Sequence, residues 1–471
     1  MAVNAGTATR TGTKIPLRGG DVSSAIDGLA WPALPDRRRL LVLSLLYQME
    51  RSERWSAERI RSYQFRQLRL LLRHAAHHVP FYRERFKETG FDPEARITPE
   101  SWRQIPLLTR TDIQENFTAL QSEALPKSHG KIHEVFSSGS NGAPVRVRKS
   151  GLSQLFWLAF TTRFHLWNGD DMSQVYGAIK TQKNAAAASY PKGVRSRAWG
   201  PGFPFATGAS VILNLNAKTH EQAEWLSRAK PNYLLSYPSI LEALAKHCLH
   251  EGIELPSIKR VHSMSEVLRP EVRRVCRQAW DAPIYDNYST EETGYIALQC
   301  PKSEQLLVQP EGVYAEFLDP SGRECGAGEV GNMIVTPLHN FAMPLIRYEV
   351  GDYAEVGGKS ACGRQYQVIE RVLGRTRNMV RLPNGETHYP DYQDILDGFD
   401  HVVQFQIVRR AEEALEMKLV VRRALTNDEE GRLISWLRER FQYPFQIAFT
   451  YHDEIPRAPS GKFLDYISEV E

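Results

Sequence analysis

Short apolar runs alternate with helical patterns along the middle of the chain. The apolar runs start at Ser210, Asn232 and Lys259, and helical patterns over 222–230 and 240–250 separate them. Strands that alternate with helices indicate βαβ units and a largely parallel sheet. Farther along, the segments GEVGNMIVTPL and FAMPLIRYEVGDYAEV predict strands interrupted by glycine without helices between them. We therefore expect a second, more antiparallel sheet.

The pattern starts again after Gly374. It predicts strands over 402–409, 415–422 and 446–451 and a helix over 428–441. A unit of about 95 residues is large enough to be a small domain of its own. We therefore predict an α/β protein with a large multi-sheet N-terminal domain over residues 31–373 and a small α+β C-terminal domain over 374–471, preceded by a disordered tail over 1–30.

The composition is that of a globular protein. The 471 residues are 42% hydrophobic, 10% aromatic and 24% charged, with a net charge of +4, so neither general disorder nor a nucleic-acid partner is expected. The apolar run from Leu40 to Tyr47 is too short to cross a bilayer, which needs about 20 residues. Five widely spaced cysteines indicate reduced thiols and a cytoplasmic location.

A loop rich in serine and glycine is the sharpest local signal for chemistry. Glycines allow a tight backbone whose N–H groups point at anionic oxygens, and serine hydroxyls add donors, so the loop is suited to a polyphosphate. No GK[ST] follows, so it is not a Walker A loop, and by itself it could equally be a flexible surface turn. The candidate phosphate-binding residues are Ser137, Ser138, Gly139, Ser140, Asn141 and Gly142.

Four more segments follow this loop, and their order along the chain is part of the signal. They are YDNYSTEETG from Tyr285, PLIRYEVGD from Pro344, GRTRN from Gly374 and PRAPSGK from Pro456. Together with the loop, and with VPFYRERF and IPLLTRTDI ahead of it, they resemble the phenylacetate-CoA ligase family of the adenylate-forming superfamily, including its branch from capsule synthesis. The resemblance spans nearly the whole chain and implies the adenylate-forming fold, in which the C-terminal domain is a lid.

The resemblance implies roles in nucleotide binding. The loop would hold the β- and γ-phosphates of ATP, Tyr288 would stack on the adenine, and Asp352 would bind the ribose hydroxyls. Asn287, next to Tyr288, is also a candidate for binding the nucleotide. Glu292 matches the carboxylate that binds Mg²⁺, which a reaction between two anions requires. Glu291 stands where the family has Ser or Thr, so the choice between the two neighbours stays open.

The resemblance also implies two cationic catalytic groups. Arg375 matches the arginine at the domain boundary, and Lys462 matches the mobile lysine that bridges the acyl carboxylate and the α-phosphate. A point charge on a long flexible stem suits that role. The chain departs from the family at Arg377 and Asn378, which replace an acidic pair and leave the hinge mechanics open.

An acyl pocket is expected between the core strands and the second sheet. Trp199 and Phe203 lie in a segment that resembles the aromatic wall of that pocket, and Tyr237 and Met264 are candidate neighbours. An apolar wall with few polar groups favours an aromatic or medium aliphatic acid. The same side chains could equally belong to the core. Ser360 replaces a cysteine that some relatives have near Cys362, so we do not expect a zinc site.

These observations predict an ATP-dependent ligase. It would join a small-molecule carboxylic acid to AMP and pass the acyl group to coenzyme A. The alternatives are an amide-forming ligase with an amine acceptor and a non-catalytic protein that has kept the nucleotide cleft. A homodimer is a candidate assembly.

Overall fold

The computed structural model describes residues 21–137, 144–182, 186–375, 380–382, 387–388, 395–396, 398–399, 401–457 and 463–470. Within these residues the helices are α1 (Arg37–Ser52), α2 (Ala57–His78), α3 (Pro80–Thr89), α4 (Pro99–Arg103), α5 (Arg110–Glu115), α6 (Gly151–Asn168), α7 (Thr219–Ala229), α8 (Pro238–Glu251), α9 (Pro270–Trp280) and α10 (Asn427–Phe441). A short 3₁₀ turn spans Lys127–His129. Among these helices we find none with the length and hydropathy of a membrane span.

The strands fall into several sheets. In the described residues they are β1 (His133–Phe136), β2 (Arg146–Lys149), β3 (Tyr176–Lys180), β4 (Val194–Ser196), β5 (Ser210–Asn214), β6 (Tyr233–Ser236), β7 (Arg260–Ser263), β8 (Ile284–Tyr285), β9 (Asn287–Thr290), β10 (Gly294–Gln299), β11 (Leu306–Val308), β12 (Val313–Leu318), β13 (Val330–Pro337), β14 (Tyr348–Val356), β15 (Val368–Arg375), β16 (Val380–Arg381), β17 (Thr387–His388), β18 (Val402–Ala411), β19 (Ala414–Val421), β20 (Gln446–Tyr451) and β21 (Tyr466–Ser468).

The expected parallel sheet has six strands in the order β4-β5-β3-β6-β7-β8. Strands β5, β3, β6, β7 and β8 are parallel, and β4 pairs antiparallel with β5 at one edge. Helices α7, α8 and α9 connect consecutive strands, and their apolar faces, including Trp225, Leu241 and Val272, are buried with the strands in one core. This is the βαβ arrangement that the periodicity predicts.

The second sheet is fully antiparallel, with seven strands in the order β12-β13-β14-β15-β11-β10-β9. The strand expected to start at Phe341 begins only at Tyr348. Arg347 lies just before it with φ of 52°, in the left-handed region where extended backbone ends. Its buried guanidinium donates to the carbonyls of Arg103 and Ile105 and to Glu316, and these bonds hold the bend in place.

The amphipathic segment before these sheets forms two helices. Helix α2 buries Leu68, Leu71, Leu72 and Ala75. It ends at Val79, whose backbone is extended, and α3 starts at Pro80, because proline disrupts a helix interior but fits its first turn. Of the expected tail, residues 1–20 lie outside the described part of the chain. Asp21 is described, and its carbonyl accepts a bond of 2.7 Å from Ala206 N.

The C-terminal part has a core of its own. Its four-stranded sheet has the order β20-β19-β18-β21, and the buried residues Leu433, Leu437 and Phe441 of α10 pack on it. The helix and the three longer strands agree with the prediction, whereas β21 is too short to leave a clear alternation of apolar residues. The division of the chain at residue 374 stays a prediction.

Candidate active site

A cleft of about 1160 Å³ lies at the carboxyl ends of the parallel strands. Open α/β sheets bind ligands at this edge. Residues from the antiparallel sheet and from the C-terminal sheet line it as well. The described residues that were expected at the site and line this cleft are Ser137, Trp199, Phe203, Tyr237, Met264, Asn287, Tyr288, Glu292 and Asp352.

The serine-rich loop joins the two strands of a hairpin, β1 and β2. Ser137 follows β1, its N–H donates to the Val145 carbonyl at 2.8 Å, and its Oγ accepts from Val145 N at 2.8 Å. These bonds close the base of the loop at the rim of the cleft. Ser138, Gly139, Ser140, Asn141 and Gly142 lie outside the described residues, so their phosphate-binding role stays a prediction.

Arg110 joins the loop to the predicted metal-binding carboxylate. Its Nη2 donates to Ser137 Oγ at 3.2 Å, and its Nη1 lies 3.8 Å from Glu292 Oε1. The Glu292 side chain is 8% exposed, whereas Glu291 is an exposed residue. The two glutamates therefore differ in environment, and the buried one is charge-paired inside the cleft.

Lys149 adds a second cation close to these carboxylates. Burial lowers the pKa of its ammonium, and the negative charges of Glu291 and Glu292 partly oppose that effect. A buried lysine is stable as a cation only beside such carboxylates. Next to Ser137 and Glu292 the protein therefore has a cluster of mixed charge that can attract an anion.

Tyr288 and Asp352 meet across the antiparallel sheet. The Tyr288 hydroxyl on β9 donates to Asp352 Oδ2 on β14 at 2.5 Å. Asp352 is opposite Arg375 in the register of β14 and β15, which brings the Arg375 backbone to this point, while its side chain lies outside the described residues. Two motifs separated by more than sixty residues in the sequence thus form one contact.

Asn287 is held in place by the end of the parallel sheet. Its Nδ2 donates to the Ser263 carbonyl at 3.0 Å, and its N–H donates to Asp286 Oδ1 at 2.9 Å. Burial raises the pKa of Asp286, while bonds from Ser263 Oγ and Asn287 N partly offset that effect. The segment that leads into Tyr288 is therefore anchored by side-chain bonds at its start.

A further group of lining residues is largely aromatic, and we call this part of the cleft the aromatic end. The Trp199 ring lies 6.1 Å from that of Phe203. Tyr237 is buried, its hydroxyl lies 3.2 Å from Thr181 Oγ1, and Met264 packs against the core of the parallel sheet. These side chains line the cleft and also contact the core, and their role in binding the acid stays a prediction.

The C-terminal unit touches the cleft through Glu266. This carboxylate accepts from Ser239 N at 3.0 Å and Ser239 Oγ at 2.6 Å on its own side. From the C-terminal unit it accepts a bond from Phe463 N at 2.8 Å, and Arg457 Nη1 lies 3.5 Å away. Lys462 lies between Arg457 and Phe463 in the sequence, outside the described residues, so its role stays a prediction.

Several residues at the cleft were not singled out from the sequence. Arg110 lies within the IPLLTRTDI segment, but nothing in that segment assigns it a role. Lys149 and Glu266 do not lie in a recognisable motif. Their interaction partners are distant in the sequence, so sequence spacing does not reveal them. His165 lies in α6, whose predominantly apolar sequence reads as a core helix.

Comparison with known proteins gives relatives that match most of the chain. A family model described as the CapK C-terminal domain matches residues 388–469. The phenylacetate-coenzyme A ligase of Thermus thermophilus is 24% identical over 79% of this chain and 83% of its own. Protein CapK of Staphylococcus aureus is 21% identical over 83% of this chain and 85% of its own.

A solved structure has the same fold. It is 2-hydroxyisobutyryl-CoA ligase in the postadenylation state in complex with R3-HIB-AMP, 20% identical, with a TM-score of 0.70 over 89% of this chain and 92% of that one. The α/β fold expected from the sequence is therefore confirmed over both the N-terminal sheets and the C-terminal sheet.

Proposed function

We propose that this chain, a homologue of phenylacetate-CoA ligases and of CapK along most of its length, is an ATP-dependent ligase that activates a carboxylic acid as its acyl-AMP. The acyl group is then passed to coenzyme A. ATP and coenzyme A are cytoplasmic metabolites, so we expect the reaction to take place there.

One observation carries this proposal. Nine predicted side chains, drawn from separate segments between Ser137 and Asp352, line a single cleft. The lining includes Glu292, whose carboxylate pairs with Arg110, and also the aromatic rings of Trp199 and Phe203. Charged and aromatic groups in one cleft fit a substrate pair made of a polyphosphate and an apolar acid.

The nucleotide is expected along the charged side chains. Ser137 and Arg110 supply a hydroxyl and a guanidinium at the loop, where the outer phosphates bind. Asp352, which accepts the Tyr288 hydroxyl, would also accept hydrogen bonds from the ribose hydroxyls. The Tyr288 ring supplies an apolar face for the adenine.

The donor set at Glu292 fits a magnesium ion. Mg²⁺ in nucleotide enzymes binds one or two carboxylates together with phosphate oxygens and water. Glu292 provides one buried carboxylate, and its oxygens would bind the ion. When bound, the ion would offset the negative charges of the phosphates and of the acid.

Adenylation requires the acid's carboxylate oxygen to attack the α-phosphorus as the bond to pyrophosphate breaks. We propose that Lys462 balances the charge shared by the two anions, and that Arg375 contacts the nucleotide at the boundary of the lid. In the second step the sulfur of coenzyme A bonds to the acyl carbon, AMP leaves, and the thiol proton passes to solvent.

A panel of acids tests the proposal. We expect pyrophosphate and acyl-AMP from ATP and at least one aromatic or medium aliphatic acid, and a thioester on addition of coenzyme A. An ATP analogue with a methylene bridge between the α- and β-phosphorus atoms is the control, because it cannot release pyrophosphate. An amide formed with an added amine, and no thioester, would indicate the amide-forming alternative. ATP binding without pyrophosphate release for any acid would contradict ligase activity.

A further inference from the structure

A buried network of charged side chains lies behind the aromatic end of the cleft. Asp170 Oδ2 is 2.7 Å from His165 Nδ1 and 3.2 Å from His262 Nε2. Its other oxygen, Oδ1, accepts a bond of 2.7 Å from Arg260 Nη1. None of the proposed steps of the reaction uses this network, although His165 itself lines the cleft.

The network sets the protonation of His165. Burial opposes ionisation of Asp170, but the two imidazoles outweigh it and hold the pKa of this carboxyl well below its usual range. An ionised carboxylate only accepts hydrogen bonds, so the proton of His165 lies on Nδ1. Burial also lowers the pKa of His165, which keeps the ring neutral. Its Nε2 is therefore a hydrogen-bond acceptor.

The free nitrogen lies among aromatic rings. The His165 ring is 4.9 Å from Trp199, 5.5 Å from Tyr176 and 6.2 Å from Phe203, and the residue is 3% exposed. In the described part of the chain, no hydrogen bond to its Nε2 is found. A ligand that fills this part of the cleft without a donor for Nε2 would leave the acceptor unpaired.

Polar atoms on the neighbouring rings are engaged elsewhere. The Trp199 indole N–H donates to the Gln174 carbonyl at 2.8 Å. The Tyr176 hydroxyl lies 3.5 Å from His262 Nδ1, and burial raises its pKa well above the usual value, so it keeps its proton. His165 Nε2 thus offers a ligand an acceptor nitrogen, and the adjacent Tyr176 ring carries a protonated phenol.

We propose that His165 is a specificity-determining residue whose Nε2 accepts a hydrogen bond from a hydroxyl group on the tail of the acid. The acid is then a hydroxylated aromatic or aliphatic one. This inference rests on the proposed function, because it names the class of acid that the same cleft activates.

The test compares pairs of acids that differ by one hydroxyl. Suitable pairs are phenylacetate with 4-hydroxyphenylacetate and hexanoate with 6-hydroxyhexanoate, scored by kcat/KM for pyrophosphate release. We expect the unaltered protein to prefer a hydroxylated member by roughly 10- to 100-fold, since a site with a buried polar group rejects the analogue that leaves it unpaired.

His165→Phe keeps a ring of similar size and removes the acceptor, so the preference should fall to within about threefold of unity while the unhydroxylated acid is still used. His165→Gln restores an acceptor oxygen and should recover part of the preference. His220→Phe is the control, because His220 is exposed on α7. A change in overall stability alone would alter both acids of a pair equally.

Four results would overturn the inference. The inference is wrong if the wild-type protein activates acids but does not prefer the hydroxylated members. It is also wrong if His165→Phe keeps the preference unchanged. Both results leave the ligase proposal intact. A stoichiometric metal ion in the purified protein, absent from His165→Phe, would make His165, Asp170 and His262 metal ligands instead. If no acid releases pyrophosphate, the proposed function fails and the inference with it.

Discussion

Glu266 is the point where removal of one side chain should separate the two half-reactions. Its carboxylate accepts Phe463 N–H at 2.8 Å and faces Arg457 at 3.5 Å, so it contacts the C-terminal unit on both sides of the segment that contains Lys462. Glu266→Ala removes both contacts. If Lys462 acts only when this unit is docked as described, adenylation should depend on Glu266, and acyl transfer should not.

The magnitude follows from the contacts that are lost. A hydrogen bond from a backbone N–H to a charged carboxylate contributes about 1.5–3 kcal/mol. The Arg457 contact is longer, and Arg457 keeps its bond of 2.7 Å to Ser239 Oγ, so it adds little. A loss of about 2–3 kcal/mol shifts the docking equilibrium by roughly 30- to 150-fold. Adenylation should therefore slow by up to that factor.

The assay follows both steps in the same preparation. Pyrophosphate release reports adenylation, and thioester formation from supplied acyl-AMP and coenzyme A reports transfer. Glu271→Ala is a matched control, because Glu271 is also 10% exposed but pairs with Arg274 within α9. Transfer by Glu266→Ala should stay within about twofold of the wild-type rate, since the docked contact is not part of that step.

Two outcomes would refute this reasoning. Equal losses in adenylation and transfer would mean that Glu266 supports the whole fold and not the docked position. An equal loss of adenylation in Glu271→Ala would mean that any buried carboxylate of this region has the same effect.

Three further predictions concern charge at the cleft. Lys462→Ala should slow acyl-AMP formation by roughly 100-fold or more and change ATP affinity little, because the lysine acts on the transition state. Pyrophosphate release measures the first effect and calorimetry with ATP measures the second, and unchanged adenylation would contradict the prediction. Glu292→Gln should reduce magnesium-dependent activity more than Glu291→Gln, since Glu292 is the buried member, and a magnesium titration of both would reveal the reverse order. Burial raises the pKa of Asp465 from its ordinary 3.8 to about 6, so its contribution to stability is present below pH 4 and is lost as the pH rises through 6. Urea unfolding at pH 4 and 7.5 should therefore show that Asp465→Asn raises the free energy of unfolding over wild type by up to roughly 3 kcal/mol at the higher pH. An equal difference between the two proteins at both pH values would contradict this.

Periodicity predicted the architecture well because the two sheets obey different rules. Parallel strands buried on both faces read as apolar runs between helices, as at β5, β6 and β7. The edge of the sheet could also be inferred, since the carboxyl ends of parallel strands meet there and carry Tyr237 and Met264 just beyond β6 and β7. The central position of β3 in that sheet could not be read from the sequence.

Residues of the cleft could be predicted from the sequence only where they lie in a recognisable motif. Tyr288 and Asp352 were found as separate motifs, and the contact between them depends on a sheet register that sequence spacing does not encode. Arg110 and His165 were missed for a different reason. Arg110 and His165 are each defined by contacts with residues elsewhere in the fold. The sequence around a single arginine or histidine in a helix is the same whether or not such contacts form.

In the proposed reaction, the loop after β7 would link the choice of acid with docking of the C-terminal unit. Met264 lines the aromatic end and Glu266 holds Phe463, with Ser265 between them at φ of 67°. A left-handed residue other than glycine is uncommon and persists where surrounding contacts hold it in place. Here those contacts are the core of the parallel sheet around Met264 and the bonds to Ser239 at Glu266. Because three consecutive residues join pocket and docking surface, a shift of Met264 caused by an acid of the wrong shape would reach the carboxylate that the C-terminal unit binds.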